Sequence, residues 1–152
     1  MDPVSQAFIG DRSGVFRGIE FDVSIEEVKE AEYGELLDED NDFLHYIDRP
    51  EGASTNDFLD IQYFFNGAGE LDMITAFYSL NNLEMIQTIE KDVYEYFTRK
   101  YGRSQSDEIG WHVWEYNTRR GQAGVVELSM KVNVEDGFRG IELEAVKYIK
   151  LQ

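Results

Sequence analysis

The chain has two histidines and no cysteine, so few side chains are available as nitrogen or sulfur ligands or as bases near neutral pH. His45 and His112 each lie in an aromatic segment typical of a β-strand. Two imidazoles can share a metal ion, and one alone can act as a general base. A catalytic histidine also needs a nucleophile and an orienting partner, and no such spacing accompanies either residue. The pattern favours packed, hydrogen-bonded histidines, and it predicts no metal site, no cofactor and no catalytic residue here.

A second candidate for chemistry is the alternating acidic triplet Asp38, Asp40 and Asp42, which has the spacing that opens a calcium-binding loop. Such a loop requires a glycine at its sixth position and a bidentate glutamate at its twelfth. This chain has Phe43 and Arg49 there. The triplet is therefore interpreted as part of a solvated acidic loop over residues 35–42, and its three carboxylates are candidate contacts for a basic partner.

Several glutamates, Glu26, Glu27, Glu30 and Glu32, lie close enough in sequence to form acid–base pairs. Carboxylates at this spacing on a short helix usually form a solvated face. The chain also contains no phosphate-binding glycine loop, no nucleophile elbow and no metalloprotease motif. We therefore predict that the protein is not an enzyme.

Charge restricts the class of partner. The chain has 31 acidic and 14 basic residues and a formal net charge of -17. Such a field repels nucleic acid and anionic lipid surfaces and attracts basic proteins. No apolar run is long enough to span a bilayer, and residues 1–12 lack the regions of a secretion signal. The expected location is the cytoplasm, or the periplasm or cell envelope if a signal has been removed.

Hydrophobic periodicity and turn residues predict the elements that would position these groups. Residues 1–13 are expected to be a flexible N-terminal arm, and residues 14–152 a single globular domain. Ser24 and Glu27 have the spacing of a capping box, which predicts the start of a first helix. A second helix is predicted from Asn81 or Asn82 to Gly102. Strands are predicted at residues 15–21, 43–48, 57–66, 71–80, 111–117, 125–133 and 138–149.

The chain also repeats part of its own pattern. The shift that places His45 on His112 also aligns the apolar positions around Ile61 with those around Leu128. An internal repeat is a strong indicator of architecture. The predicted fold is α+β, with two tandem helix-plus-three-strand antiparallel units at 14–80 and 81–150 and the helices packed on one face of the sheet.

The order of these motifs resembles that of a known group of bacterial proteins. The motifs are Gly18, the helix start at Ser24, the aromatic strand around Tyr46, and the pattern Ile61-x-Tyr63-x-Phe65 before a glycine-rich turn. They resemble the repeats of beta-lactamase inhibitor proteins and of the small lipoprotein of the outer-membrane assembly machine. The second half, with Lys100-Tyr101-Gly102 and Trp114, looks like related tandem envelope proteins. The resemblance implies a helix-on-sheet fold, a non-catalytic binding role and an envelope location, and it implies no catalytic residues. The chain departs from the lipoprotein pattern because it has no lipidated cysteine.

The two halves differ on the predicted outer face of the sheet. The second half has Glu127, Ser129, Lys131, Glu142 and Glu144 there. The first half has Asp60, Gln62, Phe64, Thr75 and Phe77, with Phe58 and Met73 beside them. A contiguous apolar patch of this kind marks an interface. Three interpretations stay open at this point: a partner binds the patch, the arm with Val4, Phe8 and Ile9 covers it, or a bulge near Gly69 changes which side chains face outward.

These observations predict a non-catalytic protein-interaction module that uses the sheet face of its first half. Its predicted contacts are Phe58, Phe64, Met73 and Phe77, together with Asp38, Asp40 and Asp42. An alternative is an acidic cytoplasmic inhibitor or immunity protein that neutralises a basic partner. A third class, a small enzyme or ligand carrier, would require converging polar groups in a concave pocket. The sequence leaves the oligomeric state open.

Overall fold

The computed structural model describes residues 1–118 and 123–149, so the end of the predicted domain at residues 150–152 lies outside the described part of the chain. Its centre is one eight-stranded antiparallel sheet with the strand order β1-β2-β3-β4-β8-β7-β6-β5. The helices are α1 (Pro3–Ile9), α2 (Ile25–Ala31) and α3 (Leu83–Tyr101). The strands are β1 (Glu35–Asp40), β2 (Phe43–Asp48), β3 (Phe58–Phe65), β4 (Leu71–Ser79), β5 (Gln105–Ser106), β6 (His112–Asn117), β7 (Gly124–Asn133) and β8 (Gly140–Ile149).

The prediction of two tandem helix-plus-three-strand units is wrong. The part of the chain before α3 contributes four strands and two short helices, and all strands join a single sheet. The predicted loop at residues 35–42 contains β1 instead. Acidic side chains are compatible with an edge strand because it is hydrogen-bonded on one side only and its side chains stay in water. The aligned residues Ile61 and Leu128 are both buried on the same face of this sheet, which accounts for their similar patterns.

The segment predicted as a strand at residues 15–21 also differs. Phe16 pairs with Ile19 in an isolated bridge, which closes a tight turn. Arg17 and Gly18 have φ values of 55° and 79° within this turn. Positive φ values at consecutive residues are incompatible with an extended strand, and residue 17 adopts one although it is not glycine.

The predicted caps of α2 and α3 are present. Ser24 and Glu27 form the capping box at the start of α2. The Asn82 side chain accepts a hydrogen bond of 3.0 Å from the backbone N–H of Met85 at the start of α3. At the other end, α3 stops at Gly102, whose φ of 92° favours glycine.

One face of the sheet, here called the inner face, carries the hydrophobic core. Alternate residues of the central strands point towards the helices and are fully buried, among them Ile61, Tyr63, Ile74, Leu128 and Leu143. Helix α3 packs against this face through Ile86, Ile89, Val93 and Phe97. Burial of each such side chain contributes about 1.5–3 kcal/mol.

Residues 1–13, expected to be a flexible arm, begin with helix α1, and this helix belongs to the core. Asp2 caps it and Pro3 occupies its first turn. Phe8 is fully buried, with its ring centroid 5.6 Å from that of Tyr78, which points to the inner face. The N-terminal segment therefore lies on the helix side of the sheet and does not cover the apolar residues of the opposite face.

A buried ionic network fixes the turn that follows α1. The Arg17 guanidinium lies 2.7 Å from the Glu32 carboxylate and 2.9 Å from that of Asp48. It also stacks at 4.2 Å on the Tyr33 ring, and Tyr63 donates its hydroxyl hydrogen to Glu32. Burial alone would raise the pKa of Glu32, but hydrogen bonds and attraction from Arg17 outweigh it and hold that pKa below its usual value.

Candidate functional site on the outer sheet face

The face of the sheet opposite the helices is here called the outer face. Its side chains are those that alternate with the buried ones, and on β2, β3 and β4 they are partly exposed. The antiparallel register places residues of neighbouring strands directly beside one another. The candidate site can therefore be described as cross-strand rows.

The most apolar row runs across four strands. Phe43, Phe64, Met73 and Val146 are register partners on β2, β3, β4 and β8 and form what we call the apolar row. The rings of Phe43 and Phe64 have centroids 5.3 Å apart in a tilted arrangement. All four side chains are only partly buried, because within the described residues no helix packs on this face. The row is the type of contiguous apolar surface that marks a binding site.

A bulge is present near the turn at Gly69, as the third interpretation required, but it does not reorient the row. The pairing shifts between Phe64 and Phe65, where Asp72 is the additional residue on β4. Met73 and Phe77 follow the bulge, and both are partly exposed on the outer face. The predicted patch residues Phe64, Met73 and Phe77 therefore all face outward.

The three predicted aspartate contacts lie beside this row, whereas Phe58 does not. Asp40 is the register partner of Phe43, and Asp38 is that of His45, so the acidic edge adjoins the apolar row. Asp42 lies in the turn between β1 and β2, and all three aspartates are exposed. Phe58 is at the start of β3, beside Ser79 and away from the row. The structure thus brings most of the predicted contacts to one corner of the outer face.

The two histidines lie on opposite faces of the sheet. His45 is on the outer face, with its Nε2 atom 2.7 Å from Asp60. His112 pairs with the buried residue Met130 and its ring lies 5.1 Å from that of Tyr94 on α3. They cannot bind one metal ion together. Within residues 1–118 and 123–149, no group of three or more acidic or histidine residues is arranged to hold a metal.

A serine and a histidine do come together at the far edge of the sheet. Ser106 Oγ lies 3.2 Å from His112 Nδ1, where β5 pairs with β6. Ser106 is exposed and lies on a strand of two residues. A hydroxyl nucleophile requires a third group that orients the base and donors that stabilise an oxyanion. A contact between a serine and a histidine alone therefore does not indicate a hydrolase.

A groove crosses the outer face where β4 and β8 meet. Its volume is about 350 Å³, and Phe77 and Thr75 on β4 contribute to its floor, with Glu142 and Glu144 on β8. Trp111 and Phe138 also line it, and Phe138 is 68% exposed. The alternating pattern of β8 places both glutamates on the outer face, but the groove depends on the pairing of β4 with β8, which no local pattern predicts. Trp111 precedes β6, and nothing in its sequence context indicated that it reaches this groove.

Comparisons of the chain with protein-family models, with curated proteins and with solved structures give no match. The resemblance to inhibitor and envelope proteins therefore stays an expectation. None of the helices in the described ranges is long and apolar enough to cross a membrane.

Proposed function

We propose that this protein is a non-catalytic binding module that holds a protein partner on its outer face, with the apolar row as the central contact. The observation that carries the proposal is the row itself: four apolar side chains meet across four strands on a face that no described helix covers. Aromatic residues in such positions often dominate binding energy, and burial of each is worth about 1.5–3 kcal/mol.

The composition of the surroundings also supports a protein partner. Around the apolar row lie polar and charged side chains such as Asp40, Gln62, Thr75 and Glu127, two of which are direct register neighbours of row members. An apolar centre with a polar rim is the usual anatomy of a protein interface. The backbone of the row is held by the hydrogen bonds of the sheet, so little backbone entropy would be lost on binding.

Photocrosslinking tests this proposal. We expect that p-benzoylphenylalanine in place of Phe64 forms a covalent adduct of one defined mass in the cells that produce the protein. The same photoreactive residue in place of the exposed Gln87 on α3 serves as the matched control and should give no such adduct. Met73→Asp, which introduces a charge beside position 64, should abolish the adduct while the far-UV circular dichroism stays unchanged. An adduct pattern identical at positions 64 and 87 would contradict the proposal.

A second candidate function is that of an acidic inhibitor that neutralises a basic partner through the β1 edge. The specific observation in its favour is that every residue of β1 is exposed and that Asp38 and Asp40 extend the acidic surface to the rim of the sheet. Attraction of this kind acts through solvent and is screened by salt.

Salt dependence separates the two candidates. We expect the affinity for the crosslinked partner to fall less than about tenfold between about 0.1 M and 1 M salt, although the Debye length shortens from about 10 Å to 3 Å. The reason is that apolar burial is not weakened by ionic screening. Isothermal titration calorimetry at the two salt concentrations measures this. A loss well beyond tenfold, reproduced at low salt by the triple variant Asp38→Asn, Asp40→Asn, Asp42→Asn, would favour the acidic inhibitor instead.

A further inference from the structure

We propose that the groove at the β4–β8 junction binds the guanidinium group of an arginine side chain. This inference rests on the proposed function, since the arginine would belong to the partner held on the outer face. It assigns the groove a ligand chemistry of its own, distinct from that of the apolar row.

The register places an aromatic ring between two carboxylates. Asp60 on β3, Phe77 on β4 and Glu142 on β8 are direct cross-strand partners in one row. Glu144 is the partner of Thr75 in the adjacent row and also lines the groove. Directly opposed residues in a sheet have Cβ atoms about 4.5–5.5 Å apart. A planar cation that stacks on the Phe77 ring would therefore lie within reach of carboxylates on both sides.

This combination selects arginine. A guanidinium is planar, stacks on aromatic faces and donates two parallel hydrogen bonds to a carboxylate. A lysine ammonium is more strongly hydrated and offers no matching plane. The groove volume of about 350 Å³ is sufficient for a side chain, and the aromatic residues Trp111 and Phe138 line it together with Phe77.

The charges of the lining are unbalanced. Asp60, Glu142 and Glu144 contribute carboxylates, and no lysine or arginine is among the lining residues in the described part of the chain. His45 contacts Asp60, but Glu142 and Glu144 form no ion pair within residues 1–118 and 123–149. Together with the net charge of -17, this gives the groove a negative potential that complements a cation.

A neighbouring side chain already shows that the indole accepts a cation. The Nζ atom of Lys131 lies 5.9 Å from the centre of the Trp111 ring. Lys131 is also the register partner of Glu142, so it stands at the end of the same row as Phe77. Lys131 lies at the border of the groove. Its ammonium group would compete weakly with an incoming guanidinium for the Trp111 ring and the Glu142 carboxylate.

Nuclear magnetic resonance with a small probe tests the proposal on the full chain. The probe is Nα-acetyl-arginine amide, and the matched control is Nα-acetyl-citrulline amide, which has nearly the same shape without the charge. The protein has two tryptophans, so its spectrum contains two indole N–H signals. Trp111 lines the groove, whereas Trp114 is fully buried on the inner face and donates to Thr98. We expect saturable movement of the Trp111 signal with the arginine probe, none with the citrulline probe, and a fixed Trp114 signal in both titrations.

Variants of the groove charges sharpen the test. Glu142→Gln with Glu144→Gln should lower the affinity for the arginine probe at least tenfold. Glu84→Gln with Glu95→Gln removes the same charge from exposed positions of α3 and should leave its affinity unchanged. Lys131→Gln should increase the affinity for the arginine probe, because it removes the competing cation. This expected gain of affinity cannot be produced by misfolding. An unshifted Trp114 signal reports that each variant is folded.

The outcomes separate this inference from the proposed function. The arginine site would be overturned if the citrulline probe bound as tightly as the arginine probe. It would also be overturned if the α3 variant and the groove variant lost the same affinity for the arginine probe. Either result would count against the site even if the adduct from position 64 forms. Conversely, an arginine-specific shift of Trp111 without any adduct from position 64 would support the cation site and contradict the proposed use of the apolar row.

Discussion

Replacement of Glu32 by leucine is expected to lower the free energy of unfolding by about 3–5 kcal/mol. The physical reason is that Arg17 would remain in the core without its main counter-ion, since both side chains of the pair are completely inaccessible to solvent. Tyr63 and the backbone N–H of Gly34 would also lose their acceptor. Urea unfolding followed by circular dichroism measures the change.

The double variant Arg17→Met with Glu32→Leu is the informative control. Exchange of a whole buried ion pair for apolar side chains is often neutral, whereas removal of one partner is costly. We therefore expect the double variant to recover much of the stability lost by Glu32→Leu. If the single and double variants are equally unstable, the cost comes from altered packing and not from the unpaired charge.

Acid should reduce the difference in the free energy of unfolding between the wild type and Glu32→Leu. The folded-state pKa of Glu32 lies below its unfolded value of about 4.5, so the native state binds the proton less readily than the unfolded chain. The stabilisation by this carboxylate is thus fully present above that value and is lost as pH falls through the lower, folded-state pKa. The difference between their free energies of unfolding should therefore become smaller in this acidic range.

Truncation of Phe8 to alanine is expected to cost about 3–5 kcal/mol of unfolding free energy. The Phe8 ring is fully buried, and its centroid lies 5.5 Å from that of Phe16 and 5.6 Å from that of Tyr78. Its removal would leave a cavity between α1, the turn that follows it and the sheet. Thermal and urea unfolding of the variant provide the measurement.

The same truncation at Phe138 is the matched control. Phe138 is 68% exposed, and substitutions at such surface positions usually change stability by less than about 0.5 kcal/mol. A Phe8→Ala variant as stable as Phe138→Ala would show that residues 1–13 behave as the loose arm suggested by the sequence, and that α1 contributes little to the core.

Several local features of the fold were accessible from sequence because they depend on neighbouring residues, although helix α1 and the tight turn between Phe16 and Ile19 were missed. Alternation along β3 and β4 correctly separated Ile61 and Tyr63, which are buried, from Phe64 and Phe77, which face outward. The capping positions Ser24 and Asn82 follow from side-chain hydrogen bonds to backbone only a few residues away. These are interactions of short range.

The other missed features depend on long-range pairing. The composition of β1 is that of a loop, and only the hydrogen bonds from β2 make it a strand. Arg17 and Glu32 become interpretable as a pair only when the turn after α1 packs on the sheet. The groove requires that Thr75 and Phe77 meet Glu144 and Glu142, and no local pattern specifies that β4 and β8 are neighbours.

The position of β8 has a consequence for how this molecule is made. Strand β4 is hydrogen-bonded to β3 on one side and to β8 on the other. In the sequence, α3, β5, β6 and β7 all lie between β4 and β8. While the ribosome synthesises that intervening segment, β4, which carries Met73 of the apolar row, presents an open edge, and such edges readily recruit strands from other chains. Closure over so large a sequence separation is slow. We expect nascent chains stalled before β8 to be the species most in need of chaperones.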